Sequence, residues 1–289
     1  MNYIIHILIM INIYFILTQS LNLVMGYTGL LSLASAAFYG IGAYTTALLM
    51  MKLNVNFFIA LPLAVIISTI LSFIVAYPSL RLKGDYFILA TLGFQIVIFS
   101  ILYNWVSLTR GPYGIPGIPQ PSIFNLNFNT LPKFLILSTI FSLLTIFFFY
   151  LITNSQYGRI LKAIREDEIA TKTLGKDTFK FKLSAFAISS GISAISGALY
   201  ATYVTYIDPT SFTISESLFL VTILAIGGAG NLQGPIVGTL FMVILPEILR
   251  FLAIPDTIAP NVRMMIYAII LIYLMRKKTK GIAGEYGFD

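Results

Sequence analysis

Long apolar stretches separated by short polar or glycine-rich breaks set the pattern of this chain. Residues 3–23, 57–77, 86–106, 132–153 and 183–204 each approach the ~20 apolar residues that cross a bilayer as a helix. Four shorter apolar segments, 35–51, 215–226, 236–252 and 262–275, lie between or after them. A backbone in lipid must satisfy its own hydrogen bonds, so these segments are predicted to be helices. The expectation is an all-α polytopic membrane protein with about nine membrane helices, some short or discontinuous. Segment 183–204 carries Ser189, Ser190, Gly191, Ser193, Ser196 and Gly197, and is predicted to sit inside the bundle.

The breaks are as informative as the spans. From Gly26 to Tyr44, and again from Gly227 to Pro235, glycine and other small residues are dense. Two readings fit: small residues let helix backbones approach closely, or broken helices free backbone groups to line a pathway. On the second reading the pathway residues are Gly26, Gly29, Ser32, Ser35, Gly227, Gly228, Gly230 and Asn231. Gly26-x-x-Gly-x-Leu and Gly227-x-x-Gly-x-Leu share a pattern, although three matching positions do not establish a repeat. Residues 107–131, with Pro112, Pro116, Pro119 and Pro121 among glycines, are predicted to be a non-helical loop.

Residues 159–182 break the apolar pattern most sharply. They hold seven of the 18 Lys and Arg residues and four of the 11 acids. Ile160, Ala163, Ile164, Ala170 and Leu174 recur at helical spacing, and Lys162/Glu166 and Glu168/Lys172 are i,i+4 pairs, so one amphipathic helix is expected from Arg159 to Leu174. Ser155 is placed to cap its approach, and Gly175 followed by Lys176 to stop it. A solvated connector has no need of an apolar stripe, so this helix is expected to pack against something.

Composition adds little to the class, with 58% hydrophobic and only 10% charged residues, but charge orients the chain. If the loops at 81–85 and 154–182 share a side with the C-terminal tail, that side holds 13 of the 18 basic residues. The positive-inside rule makes that side cytoplasmic. The net charge of +7 is thus a topology signal rather than a mark of nucleic-acid binding. No Lys or Arg precedes Lys52, so the first apolar segment is read as a retained span rather than a secretory signal. The absence of cysteine removes disulfides and thiolate metal sites, and the single His6 removes a histidine cluster.

Catalytic templates fail. Gly175-Lys176 lacks the following Ser or Thr, and the earlier glycine, of a phosphate-binding loop. Glu247 has Arg250 at i+3 near a helix end and reads as an interfacial pair. Glu216 opens a helix, where the dipole accounts for it. No ionisable group stands out as a proton relay.

Eight stretches then carry a resemblance: Asn22-Leu-Val-Met-Gly-Tyr-Thr-Gly-Leu-Leu-Ser-Leu, Ala36-Ala-Phe-Tyr-Gly-Ile-Gly-Ala-Tyr, Arg81-Leu-Lys-Gly-Asp-Tyr, Thr91-Leu-Gly-Phe, Gly111-Pro-Tyr-Gly-Ile, Ala163-Ile-Arg-Glu-Asp-Glu-Ile-Ala, Ser196-Gly-Ala-Leu-Tyr-Ala and Gly227-Gly-Ala-Gly-Asn-Leu-Gln-Gly-Pro. In this order they resemble the LivM-type permease of branched-chain amino acid ABC importers. The chain departs from that pattern at Ala34-Ser35, where the family usually has Gly-His or Gly-Gln. The resemblance implies a single permease domain over residues 1–289 that forms half of a translocation pathway in the cell membrane, with its C-terminus cytoplasmic. It implies a second, LivH-like permease, two cytoplasmic ABC ATPases and an external substrate-binding protein as partners. ATP hydrolysis would belong to those partners, and neither cofactor nor metal is implied here. Residues 159–175 match the coupling segment, so Lys162, Arg165, Glu166, Glu168, Ala170 and Gly175 are the expected ATPase-coupling residues. Related permeases serve urea or short amides, which stays open as the alternative substrate class; an ion-coupled secondary transporter is the reading outside this class.

Overall fold

The structure is a computed structural model that describes residues 2–82, 84–123 and 126–250, together with 262, 265, 266, 269, 272 and 281–284. The predicted span at 262–275, and Arg276, Lys277, Lys278 and Lys280, lie largely or wholly outside the described residues.

Helix α1, Asn2–Asn22, continues as a π-helical turn, Leu23–Tyr27. After a break at 28–34 come α2, Ser35–Lys52, α3, Phe57–Ser79, and α4, Asp85–Asn104. The far-side loop then contains a one-turn α5, Val106–Thr109, a 3-10 turn at Gly111–Tyr113, and the two-residue strands β1, Ile115–Pro116, β2, Ser122–Ile123, and β3, Leu126–Asn127. Helix α6, Leu131–Asn154, leads to the charged segment, α7, Gln156–Glu166, and α8, Glu168–Thr173. Then follow α9, Thr178–Val204, β4, Tyr206–Ile207, a 3-10 turn at Pro209–Phe212, α10, Ile214–Gly227, and α11, Gln233–Arg250.

Five of these are long and apolar enough to cross a membrane: Asn2–Tyr27, Phe57–Ser79, Asp85–Asn104, Leu131–Asn154 and Thr178–Val204. Helix α2 starts inside the bundle, where Ala36 N–H donates to Ser217 Oγ at 3.1 Å, and reaches its far side. Its start also lies beside α4, where Leu33 N–H donates to Thr91 Oγ1 at 3.1 Å. It ends at the far side, where Asn56 caps α3 and donates Nδ2 to the Ser122 carbonyl of the loop at 2.7 Å.

Helix α9 is central, as its small residues predicted: 72% of its most apolar window is buried, against 28%, 22% and 28% for α3, α4 and α6. Lipid gives no hydrophobic drive between helices, so close packing and interhelical hydrogen bonds hold them. Ser189 Oγ donates to the Ser20 carbonyl at 2.7 Å, and Ser196 Oγ to the Ile13 carbonyl at 2.8 Å. Gly197 meets the backbone of α2 so closely that a Cβ would lie 2.1 Å from the Tyr39 carbonyl oxygen. The outer helices instead expose Ile66, Ile70 and Ile74 on α3, and Leu143 and Phe147 on α6, the surface expected to face lipid.

Three expectations need correction. The loop at 107–131 does contain helical turns, because Thr109 Oγ1 accepts from Gly111 N–H and donates to the Trp105 carbonyl, closing a tight local turn that the prolines do not prevent. The fold also has two small antiparallel ladders, β1 with β4 (Ile115↔Ile207, Pro116↔Tyr206) and β2 with β3. Third, the amphipathic helix is not continuous to Leu174. Asp167 leaves the helical region (φ −153°, ψ 105°) and its carboxylate accepts from Ile169 N–H and Ala170 N–H, starting α8 afresh.

Candidate functional site

The charged segment begins where sequence placed it, with Ser155 Oγ accepting from Gly158 N–H at the start of α7. Its inward face is Gly158, Leu161 and Ile164, not the predicted stripe: of Ile160, Ala163, Ile164, Ala170 and Leu174, Ile164 alone is buried. Ile169 and Leu174 are 76% and 77% exposed. Gly175, at φ +75°, turns the chain after α8.

Arg165 sits one turn beyond Leu161 and shares its inward face, so its side chain is 7% exposed while that of Glu166 is 66% exposed. Arg165 Nη1 donates to the Gly26 carbonyl at 2.7 Å, and Nη2 and Nε donate to Glu166 Oε1 at 2.6 and 3.0 Å. Carbonyls at a helix end have lost their intrahelical donors, and Arg165 supplies one to the π-turn. Lys162 Nζ lies 5.5 Å from the centre of the Tyr27 ring in the same turn. Arg165 therefore belongs to the bundle interior rather than to the exposed face.

Glu168 is the electrostatic anchor of α8. It pairs with Lys172 at 2.9 Å, as predicted, and also with Lys182 on α9, while Thr178 Oγ1 donates to it at 3.0 Å. Partial burial raises its pKa, but the hydrogen bonds from Lys182 and Lys172 outweigh this and bring it down from 4.5 to about 2.

The two glycine breaks meet each other. A Cβ on Gly26 would lie 2.5 Å from Gly230 N, so no other residue fits there without movement. Asn22, one turn before Gly26, bridges the pair: Gly230 N–H donates to its Oδ1 at 3.0 Å, and its Nδ2 donates to the Asn231 carbonyl at 2.7 Å. Asn231 Oδ1 in turn accepts from Gly234 N–H at 2.8 Å, and its Nδ2 donates to the Ala283 carbonyl. Ile282 and Ala283 N–H close the far side by donating to the Ile226 and Gly227 carbonyls, each at 2.9 Å. Gly228 and Gly230 take φ of +102° and +89° to make this turn.

Gly29 (φ +72°) packs against Arg165, Ser32 Oγ accepts from Ala34 N–H, and Ser35 opens α2. Ser32 and Ser35 line a small void of about 10 Å³ with Ser189, Ser190 and Ser193, large enough for about one water. Residues 28–31, the turn between α3 and α4, and residues 164–169 with Lys172 and Lys182 surround an open cavity of about 880 Å³. Gly26, Gly29, Arg165, Gly230 and Asn231 therefore meet near the basic end of the bundle, whereas Ser32 and Ser35 lie deeper against α9, and Glu166, Ala170 and Gly175 are exposed. Sequence reasoning missed Asn22 as the bridge; an amide side chain at the end of an apolar span was the available signal.

The family described as branched-chain amino acid transport system / permease component matches residues 3–275. The chain belongs to that family. It is 35% identical over 261 residues to the high-affinity branched-chain amino acid transport system permease protein LivM of Salmonella typhimurium, covering 82% of this chain and 61% of that protein. The LivM protein of Escherichia coli is 34% identical over the same shares. The probable LivM permease of Methanocaldococcus jannaschii is 29% identical over 84% of this chain and 80% of its own. The chain thus spans 61% of the length of the two bacterial relatives. No solved structure matches.

Proposed function

We propose that this chain is the membrane-embedded permease subunit of an ABC importer for branched-chain amino acids, acting as a single domain over residues 1–289. In this reading about nine crossings carry the chain through the cell membrane, and the basic end, with residues 81–85, 154–182 and the C-terminal tail, is cytoplasmic. A LivH-like permease completes the pathway, two ATPases dock at the cytoplasmic end, and an external binding protein delivers substrate.

The observation that carries this reading is the connection between charged segment and breaks. Arg165 holds Gly26, and Asn22 ties the same turn to Gly230 and Asn231. An ATPase seated on exposed Ile169 and Leu174, with Glu166 at the rim, gains apolar contact and charge registration. Movement of α7 would then pull on the π-turn and on both breaks together. Gly26, Gly29, Ser32, Ser35, Gly227, Gly228, Gly230 and Asn231 form the cytoplasmic gate in this account. Lys162, Arg165, Glu166, Glu168, Ala170 and Gly175 receive the stroke.

The test is uptake of labelled leucine in cells that lack their own importer and carry the assembled system with or without this chain. Leucine uptake that needs this chain, and ATP hydrolysis that needs the ATPases, supports the reading. Uptake of urea or a short amide instead would reassign the substrate, and uptake independent of any ATPase would sink it.

A further inference from the structure

Next to Ser35, on the side of the proposed gate away from the glycine breaks, a second cluster of buried polar groups lacks hydrogen-bond partners among the described residues. Phe212 ends the 3-10 turn Pro209–Phe212, which Asp208 ties together by accepting from Ser211 N–H and Oγ and from Thr210 Oγ1. The Phe212 ring is 1% exposed and enters between α2, α4 and α9. Tyr39, Tyr44 and Tyr200 surround it, with ring centres 5.1, 5.9 and 6.2 Å away, and Gln95 Nε2 donates to its carbonyl at 2.7 Å.

The socket that holds this apolar ring is polar. Tyr39, Tyr44 and Gln95 are at most 2% exposed. Tyr39 Oη, Tyr44 Oη, Gln95 Oε1 and Glu216 Oε1 are buried with no hydrogen-bond partner among the described residues. Glu216 lies in the first turn of α10, bonded to Tyr14 near the middle of α1 and within electrostatic reach of Tyr39. Its neighbour Ser217 accepts from Ala36 N–H at 3.1 Å, so the starts of the interrupted helices α2 and α10 meet beside it.

A buried polar group without a partner is costly, and native folds keep few of them. An acid within a membrane bundle is costly as well, and marks a functional site by default. The helix dipole explains a carboxylate at a helix start, but not a buried tyrosine hydroxyl within its electrostatic reach that has no partner among the described residues. Both are explained if a cation with several N–H donors enters between them when Phe212 withdraws.

We propose that Glu216 Oε1 and Tyr39 Oη form a binding site for the primary ammonium group of the transported amino acid, and that Phe212 here occupies the place of that amino acid's apolar side chain. The aromatic walls, Tyr39 and Tyr200, fit an apolar side chain as they now fit Phe212. The proposal rests on the importer reading above and deepens it: specificity for an ammonium-bearing apolar solute is set within the permease as well as outside the membrane.

Two measurements on the fully assembled importer in proteoliposomes test it, with wild-type leucine uptake as the control. Tyr39→Phe deletes a hydroxyl that has no hydrogen-bond partner among the described residues. It is expected to leave the melting temperature unchanged or higher, and to lower leucine uptake at least fivefold. Uptake within twofold of wild type, or a fall in melting temperature that accounts for the loss, overturns the site. Second, because the chain has no cysteine, Phe212→Cys places a single thiol in the socket. Methanethiosulfonate ethylammonium is expected to modify it at least tenfold faster than the ethylsulfonate reagent, leucine to slow the reaction, and added Glu216→Gln to abolish the preference. Equal rates for both reagents, or a preference that survives Glu216→Gln, would also overturn it. Absent wild-type leucine uptake with a Glu216-dependent cation preference would refute the importer reading while leaving a cation site in place.

Discussion

Arg165→Met separates the buried and exposed halves of one side chain's interactions. The substitution keeps an apolar stem against Gly29 and removes both the bond to the Gly26 carbonyl and the pair with Glu166. The first is a charge-assisted bond to a backbone group at a helix end, worth roughly 1.5–3 kcal/mol. The second has one partner 66% exposed, and such surface pairs contribute about 0–1 kcal/mol. Glu166→Gln removes only the second. A loss of about 2 kcal/mol shifts an equilibrium by roughly 30-fold, so Arg165→Met should disconnect α7 from the π-turn in most molecules. The assay is leucine uptake together with binding-protein-stimulated ATP hydrolysis in proteoliposomes. Arg165→Met is expected to lose at least tenfold in uptake while ATP hydrolysis persists, and Glu166→Gln to stay within twofold on both. Arg165→Lys, which keeps a donor but not the planar fork, should fall between them. If Arg165→Met transports normally, or Glu166→Gln is as damaging, the force does not pass through the Gly26 carbonyl and the buried contact is passive.

Three further perturbations have defined outcomes. Gly26→Ala forces a Cβ to within 2.5 Å of Gly230 N; it should cost about 1–3 kcal/mol by overpacking and appear as a lower melting temperature of the purified complex, whereas an unchanged value would mean the breaks do not pack as described. Ile169→Asp with Leu174→Asp alters two exposed apolar side chains, so the permease should fold normally and capture its ATPases at least tenfold more weakly in a pull-down; undiminished capture would place the docking surface elsewhere. The pKa of Glu168 is held near 2, below its usual 4.5, so its stabilisation of α8 against α9 is complete above about pH 4.5 and disappears as pH falls towards 2. With the carboxylate partly exposed, the effect is below about 1 kcal/mol, and hydrogen exchange at α8 should increase in that window in wild type but not in Glu168→Gln.

Much of the scaffold was legible because bilayer thickness constrains sequence so tightly. The predicted spans at 57–77, 86–106, 132–153 and 183–204 match α3, α4, α6 and the membrane part of α9 to within a few residues, and the serine and glycine content of α9 foretold its interior place. The charged segment shows where such reading stops. Spacing favours one helix through Asp167, since both i,i+4 pairs suit it, but a carboxylate that can accept from the backbone N–H groups of Ile169 and Ala170 competes with the helix locally and wins. The spacing picks out Ile164 correctly but also Ile160 and Ala163, and it leaves out the buried Leu161, so Arg165 falls on the wrong face. One turn from Leu161, it shares the buried face, and a cation there needs an acceptor that only the fold could name.

The contacts that define the site are long-range, and local pattern carries no information about them. Gly26 and Gly230 touch because α1 and α10 run side by side to the basic end, although some 200 residues separate them. Glu216 is the sharper case. Position alone gave a carboxylate at a helix start, for which the dipole is a sufficient reason. The groups around it come from α1 and α2 and are brought there by the fold: Tyr14 bonds Glu216, while Glu216 Oε1 and the Tyr39 hydroxyl, within electrostatic reach of each other, have no partner among the described residues. A chain selected for stability alone would have no reason to keep both polar groups around a phenylalanine. Stability and transport should therefore part at Tyr39: losing its hydroxyl relieves the fold of an unsatisfied group and takes from the pathway a contact for the passing solute.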